Sequence, residues 1–411
     1  MILDIINVFK VDNAHIQNNG VTIVAGYNDT GKSTILKSIY VYLESFGNYK
    51  SKIENERWNS LNRAVLKKES LFDDNGFEEL PITILTDIIS RLKEEIKIFK
   101  ELDYNKFKKI YLEVISGYTD QNETNLLYED DFITSLYDGI EIVMERSTSE
   151  YLAYITKMNF LNTFGSRYGN LINDKDSIIR SDGILDRYIR FNDAGINIIG
   201  EELSVGNVIY LETKNIIDDY NKSNRRNSFR RYLYKDPVIE NYEQYEEIEN
   251  NKNALNEIFE EVLHGKLQKG DMSSLRYYDN NIGKPIDLKN VASGMKSLLI
   301  IQRLVENGVL TKNSWLLFDE PETNLHPEWH IKMAELLVLM NKEMGINIVV
   351  SSHSTYFIRA LEVKLAMYNI KQNGKFYLMS KADNDNMYSA VDVTDNTEKI
   401  YEQLYKPLED L

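Results

Sequence analysis

Gly26-Tyr27-Asn28-Asp29-Thr30-Gly31-Lys32-Ser33-Thr34 is the stretch from which the rest of the chain is read. It follows an apolar run, Val21-Thr22-Ile23-Val24-Ala25, and precedes a run of helical character, Ile35 to Phe46. The pattern G-x-x-x-x-G-K-[ST] between a strand and a helix is a phosphate-binding loop. Gly26 and Gly31 let the backbone curl so that successive N–H groups point inward. The helix N-terminus adds partial positive charge behind a bound phosphate. Lys32 would reach the β- and γ-phosphates of a nucleoside triphosphate, and the Ser33 hydroxyl would ligate Mg²⁺. Asn28, Asp29, Thr30 and Thr34 complete the cradle. A Gly-rich turn before a helix can be only a turn, but the full consensus with both flanks in place argues for nucleotide binding in an α/β fold.

Length and composition narrow the classes. A chain of 411 residues is long enough for two to three domain-sized units. Hydrophobic content of 43% and charged content of 27% are those of an ordinary soluble globular protein. No run approaches the ~18 apolar residues of a membrane span, and Met1-Ile2-Leu3-Asp4-Ile5-Ile6 lacks the basic start of a signal peptide. There is no cysteine, so disulfides and thiolate metal sites are excluded and a cytosolic location is expected. The net charge of −16 has the wrong sign for coating nucleic acid passively. Contact with DNA would need a local basic patch.

Taken in order, residues 1–46 form the first part of a core domain. Ile2 to Val11 reads as one strand, Asp12-Asn13 as a turn, and Asn18-Asn19-Gly20 as a hairpin signal before Val21–Ala25. Ile35, Ile39 and Leu43 then repeat at i, i+4, i+8, a buried helix face. Residues 47–154 change character and predict a helical insertion that serves as an arm or partner-binding lobe. Ile84, Ile88, Leu92, Ile96 and Phe99 recur at helical spacing, as do Phe107, Ile110, Tyr111 and Val114, and Phe132, Leu136, Ile140 and Val143. Residues 155–215 return to the core domain, with strands expected at 178–180, 187–191, 196–199 and 207–212. Residues 216–270 are a polar segment with a helix at 241–263. Arg225-Arg226 and Arg230-Arg231 in that segment are the one dense basic cluster, read as a solvated loop or a phosphate patch. Residues 271–411 complete the core domain.

Three motifs in that last part carry chemistry. Ser314-Trp315-Leu316-Leu317-Phe318-Asp319-Glu320-Pro321-Glu322 is an apolar strand ending in carboxylates. Asp319 would hold Mg²⁺ and Glu320 would polarise an attacking water. Gly345 to Ser354 is a second buried strand, ending in Ser351-Ser352-His353, whose histidine could face the γ-phosphate. Ser293-Gly294 opens a helix and offers a second phosphate-binding N-terminus. Such a second half-site implies a nucleotide shared by two copies in a two-fold dimer. His326 and His330 are four apart, but Pro327 begins a helix and puts His326 before it, so no metal pair is expected.

The order of these motifs, with Asn324-Leu325-His326-Pro327 directly after the acidic strand, resembles the ABC-type ATPases of the SMC/RecF/OLD group. The Asp-Glu-Pro-Glu and Leu-His-Pro form is most similar to the OLD-type ATPases of bacterial defence. The resemblance covers roughly residues 1–46 and 270–365. It implies a P-loop NTPase of the ABC-type head class, with a helical insertion after the first P-loop helix and with ATP and Mg²⁺ as cofactors. It implies Lys32 and Ser33 on phosphates and Mg²⁺, Asp319 as the Mg²⁺ partner and Glu320 as catalytic base. It also implies His353 as the switch, residues 324–326 as a dimer-contacting loop, and Ser293-Gly294 acting on the γ-phosphate of the other copy. Two features depart from the group. The helix opens Ala-Ser-Gly-Met-Lys rather than Leu-Ser-Gly-Gly-Gln, and the lobe-linking glutamine has no clear counterpart, Arg167 within residues 164–170 being the candidate. OLD nucleases carry a TOPRIM domain after the histidine; here 58 residues follow His353, and no nuclease is expected among them. Asp383-Asn384-Asp385 reads as a hairpin turn. The expected role is therefore an ATP-hydrolysing subunit of an antiphage complex of the Septu or PARIS plan. It would dimerise and regulate a separate nuclease or toxin effector in response to DNA or a phage component. The alternative is a DNA-repair or DNA-end-sensing ATPase of RecF or SMC type.

Overall fold

A computed structural model describes residues 1–72, 82–95, 102–118, 130–165, 169–170, 172, 175–181, 187–212, 233, 242–269, 275–382 and 386–409. The chain divides into two compact units, one of Met1–Asn48 with Thr156–Leu411 and one of Tyr49–Ile155.

The first unit is built on an eleven-stranded mixed sheet, in the order β6-β5-β4-β1-β2-β14-β13-β3-β12-β11-β7. The strands are β1 Ile2–Val8, β2 Val11–Gln17, β3 Val21–Ala25, β4 Ser177–Ser181, β5 Arg187–Asn192, β6 Gly195–Ile199 and β7 Val208–Glu212. They continue with β11 Trp315–Asp319, β12 Asn347–Ser352, β13 Gly374–Lys381 and β14 Tyr388–Asp392. A second, antiparallel sheet holds β8 Gly265–Lys269, β9 Leu275–Asp279 and β10 Lys284–Asp287. Strands β13, β3, β12, β11 and β7 are mutually parallel. Parallel strands are covered on both faces and so read as continuous apolar runs; every residue of β3 and β11 is buried. Strands β6, β5, β4, β1 and β2 pair antiparallel, as an alternating wing.

Helix α1 (Lys32–Phe46) follows β3 and buries Ile35, Ile39 and Leu43. In the second unit lie α2 (Tyr49–Phe72), α3 (Ile82–Glu95), α4 (Tyr104–Ile115) and α5 (Asp130–Glu145). The boundary at Ile155 falls within α6 (Thr148–Phe164). Their inner faces are Ile84, Ile88 and Leu92 on α3, Phe107, Ile110 and Tyr111 on α4, and Phe132, Leu136, Ile140 and Val143 on α5. Asp103 caps α4 by accepting a hydrogen bond from the backbone of Lys106. The first unit adds α7 (Tyr242–Leu263), α8 (Ser293–Glu306), α9 (Pro327–Met344), α10 (Thr355–Met367) and α11 (Glu398–Glu409). One apolar core joins β3, β11 and β12 to these helices, with Leu255, Phe259 and Val262 of α7 inside it. No helix among the described residues is long and apolar enough to cross a membrane. Ile96, Phe99, Arg167, Arg225, Arg226, Arg230, Arg231 and Asp383–Asp385 lie outside the described residues.

Two expectations for the N-terminal strands are corrected. Ile2 to Val11 is not one strand: the chain turns at Phe9-Lys10, and Asp12-Asn13 lie within β2. The turn rests on Asn7 and Phe9 in left-handed conformations, with φ of 56° and 51°. Tertiary contacts hold both residues: Asn7 donates to the Lys175 carbonyl at 2.9 Å, and the Phe9 ring stacks on Phe164 at 5.0 Å. Nor is Asn18-Asn19-Gly20 a hairpin, because β14 and β13 lie between β2 and β3. It is a corner pinned by the buried Asn18, which donates to the Ile348 carbonyl and the Thr22 hydroxyl and accepts from Gly20 N–H.

Loss of those bonds leaves buried backbone groups unpaired. Asn18→Ala is expected to lower the unfolding free energy by about 2 kcal/mol. The exposed Asn19→Ala should change it by less than about 0.5 kcal/mol. Urea titration of both variants tests this difference.

Candidate functional site

Register alone assembles the site. Ala25 pairs with Ser352, Ser351 with Asp319, and Asp319 with Glu212, so β3, β12, β11 and β7 end along one edge. Ligands of open α/β sheets bind outside the carboxyl ends of their strands.

The loop at 26–34 leaves β3 at that edge. Gly31 has φ of 93°, and a Cβ there would stand 2.8 Å from Val11 Cγ2. At Gly26, with φ of 154°, a Cβ would stand 2.8 Å from Met379 Cβ. Neither position accepts a side chain. The buried Thr30 hydroxyl donates to the Tyr27 carbonyl at 2.8 Å and closes the loop. Asn28 and Asp29 are at the exposed tip, where Asp29 pairs with Lys10 of the β1–β2 turn. Lys32 is buried, and its Nζ donates to the carbonyls of Gly26 at 3.0 Å and Tyr27 at 2.7 Å. Ser33 and Thr34 lie on the first turn of α1, which has no side-chain cap, so its N–H groups can take an anion.

Ser33 Oγ donates to Asp319 Oδ1 at 3.0 Å. The same carboxylate oxygen accepts from Ser351 Oγ, and Oδ2 accepts from the Tyr210 hydroxyl at 3.4 Å. Burial, with Asp319 and Glu212 nearby, pushes the Tyr210 hydroxyl well above its ordinary value, so it remains a donor. A hydroxyl and one carboxylate are hard oxygen donors that suit Mg²⁺, which completes its shell with phosphate and water oxygens. Among the described residues no group of three or more His, Asp or Glu could hold a metal by itself. The donor set therefore fits Mg²⁺ delivered with a nucleotide.

Glu320 sits just past the strand with φ of 51°, a strained setting for a non-glycine residue at a functional position. Its N–H donates to the Ser351 carbonyl at 3.2 Å and is 3.1 Å from Ser351 Oγ. His353 Nδ1 stands 3.4 Å from Glu320 Oε1, with the imidazole half-exposed. The structure thus brings Lys32, Ser33, Asp319, Glu320 and His353 to one edge. Ser293 is exposed at the start of α8. Gly294 packs against the turn after the acidic strand, where a Cβ would meet the Asn324 carbonyl at 2.7 Å.

Sequence reasoning passed over Tyr210 and Glu322. Tyr210 gave no signal, because only strand adjacency places it beside Asp319. Glu322 stood in the quoted motif, yet nothing in its spacing showed that it turns inward. It is 4% exposed, and burial pushes its carboxyl up to about 7, against the Ser352 bond that favours the charged form. Arg167 lies outside the described residues; of its described neighbours, Phe164 stacks on Phe9 and Asn170 donates to Asn7 Oδ1 at 2.7 Å. The strand end beside Asp319 belongs to β7, at Glu212. His326 caps α9, and His330 Nδ1 faces Ser354 Oγ at 3.3 Å. Burial holds the His330 imidazole below its ordinary value, partly offset by the carbonyls of Leu325 and Glu322.

The family described as "AAA domain, putative AbiEii toxin, Type IV TA system" matches residues 21–359, which span the loop, the acidic strand and the histidine. The chain belongs to this family. It has a P-loop ATPase fold of the α/β class, and the match takes in the inserted helices as well as β3, β7, β11 and β12. No match was found among curated proteins. Three solved structures are similar along nearly the whole chain. The SMC head domain from Thermotoga maritima has 10% identity and a TM-score of 0.39, covering 95% of this chain and 98% of that one. An SMC head bound to the C-winged helix domain of ScpA has 11% identity and a TM-score of 0.43, covering 95% and 97%. An SMC head with an extended coiled coil, bound to the C-terminal domain of ScpA from Pyrococcus furiosus, has 12% identity and a TM-score of 0.36, covering 98% of each.

Between pH 4.5 and about 7 the folded chain keeps a proton on Glu322 that the unfolded chain has released. Wild-type stability relative to Glu322→Gln should therefore fall as pH rises through that window and level off above it. The total change should be at most about 3 kcal/mol. Denaturant titrations of both proteins across the window measure it.

Proposed function

We propose that this AAA-domain chain binds and hydrolyses ATP with Mg²⁺. The observation that carries this reading is the alignment of Ser33, Asp319, Glu320 and His353 along one edge of the parallel core. Lys32 would exchange the loop carbonyls of Gly26 and Tyr27 for β- and γ-phosphate oxygens. Ser33 and Asp319 would hold Mg²⁺, which neutralises charge developing on the phosphates. Glu320 would accept a proton from the attacking water, and His353, next to it, would respond to the γ-phosphate.

We further infer that two copies close head to head. Ser293 is exposed at a helix start whose N-cap, Ala292, supplies no side-chain bond, and the adjacent Gly294 rests on the turn at 324–325. Ser293-Gly294 of one copy would complete the nucleotide site of the other. The unit of Tyr49–Ile155 would hold a separate nuclease or toxin effector, in an antiphage role that agrees with the toxin–antitoxin wording of the family description.

Lys32→Ala should weaken ATP binding at least about tenfold. Glu320→Gln should bind ATP normally, lose about a hundredfold in kcat and accumulate as a dimer with ATP on size exclusion. Hydrolysis by Glu320→Gln at the wild-type rate would overturn the assignment of the base. Purification from the native host without a co-purifying effector, together with unchanged phage plating on deletion, would overturn the defence role. DNA-stimulated hydrolysis lost on neutralising Arg225, Arg226, Arg230 and Arg231 would move the reading to DNA repair.

A further inference from the structure

Once phosphates and Mg²⁺ have been assigned their residues, one carboxyl of the turn after β11 is left without a task. Glu322 lies between Glu320, at φ of 51°, and Asn324, at φ of 64°. Two left-handed non-glycine positions in five residues are strained and persist only where surrounding structure holds them. The turn has its own bonds, Thr323 N–H to the Glu320 carbonyl and Leu325 N–H to the Glu322 carbonyl, both at 3.1 Å. The side-chain bonds of Glu322 run to the end of β12 and the turn after it. Glu322 Oε1 accepts from Ser352 Oγ at 2.5 Å and from His353 N–H at 3.4 Å. Ser352 Oγ accepts in turn from Ser354 N–H at 3.0 Å, so residues 352–354 wrap around a single carboxyl oxygen. The other oxygen, Oε2, is buried with no hydrogen-bond partner among the described residues.

A charged carboxylate with one oxygen unpaired inside a protein is costly, and burial shifts this one toward its neutral form. The group is therefore suited to receiving the two donors of the switch turn while adding little charge beside Glu320. His353 has no comparable anchor of its own: its imidazole is half-exposed, and its Nδ1 faces Glu320 at 3.4 Å. Its N–H donates to Glu322 Oε1 at 3.4 Å. We propose that Glu322 is the positioning residue that holds His353 against Glu320, by tying the turn after β12 to the turn after β11. Because Gly294 rests on Asn324 and Leu325, pressure on the start of α8 reaches His353 through the same carboxyl. The kinetic part of this inference rests on the ATPase reading; the geometric part does not.

The test uses the full chain with Glu322→Ala, Glu322→Gln and His353→Ala. Gln keeps the accepting oxygen and should rescue what Ala loses. Hydrogen exchange should speed up at the amides of 352–354 in Glu322→Ala, stay slow in Glu322→Gln, and be unchanged at 26–34 in both. For ATP hydrolysis, Glu322→Ala should lower kcat about tenfold with KM changed less than about threefold. In a His353→Ala background the same substitution should add almost nothing, because it acts through a residue already removed. Unchanged exchange at 352–354, or a full further loss in the His353→Ala background, would overturn the proposal. If the wild type does not hydrolyse ATP, the ATPase reading fails, and exchange alone decides the positioning role. If Glu322→Ala does not fold, Ser352→Ala breaks the same bond from the other side and is read in the same way.

Discussion

The hydrogen bond from Ser33 to Asp319 joins residues 286 positions apart, and the rest of the site depends on the constraint that produces it. Four parallel strands must end level, and their register is fixed because β3 and β11 are buried on both faces and β12 nearly so. A slip of one residue would reverse every side chain of β11 and turn Asp319 away from the loop. Continuous apolar runs thus do more than fill the core. They set which residues stand at the edge where the chain leaves the sheet, and there the side chains become polar.

At that edge the chain takes conformations that the interior does not allow. Gly31 is left-handed because Val11 occupies the space of a side chain, and α1 begins uncapped directly behind it. Glu320 is left-handed without being glycine, and its N–H is held by Ser351 of the neighbouring strand. Strain of this kind needs a rigid frame. The buried strands supply it, and Asp319 acts as a node, accepting from α1, β12 and β7 together.

Electrostatics at the node divides the acids by environment. Asp319 accepts from three hydroxyl donors and so offers hard oxygens that suit a hard cation. Glu322, three residues on, is turned inward with one oxygen unpaired and is pushed toward neutrality. Neighbouring carboxyls in one short motif therefore sit in different surroundings, one among hydroxyl donors and one with an oxygen unpaired. Bonding partners and burial produce that difference, since the residue type is nearly the same.

Several features were legible in the sequence by itself, because they depend on local chemistry. Gly26 to Thr34 announced the phosphate loop through residues required at fixed spacing between a strand and a helix. The apolar runs ending in Asp319 and in Ser351-Ser352-His353 announced buried strands with polar ends, and α3, α4 and α5 were visible in their periodicity. Tertiary structure decided what depends on residues far apart in sequence. It broke Ile2–Val11 at Phe9, where the ring of Phe164 and the amide of Asn7 hold a turn that the apolar run conceals. It separated β2 from β3 by two strands that come from the other end of the chain. It placed Tyr210 on Asp319 and turned Glu322 inward, because neither strand adjacency nor burial leaves a mark on spacing along the chain.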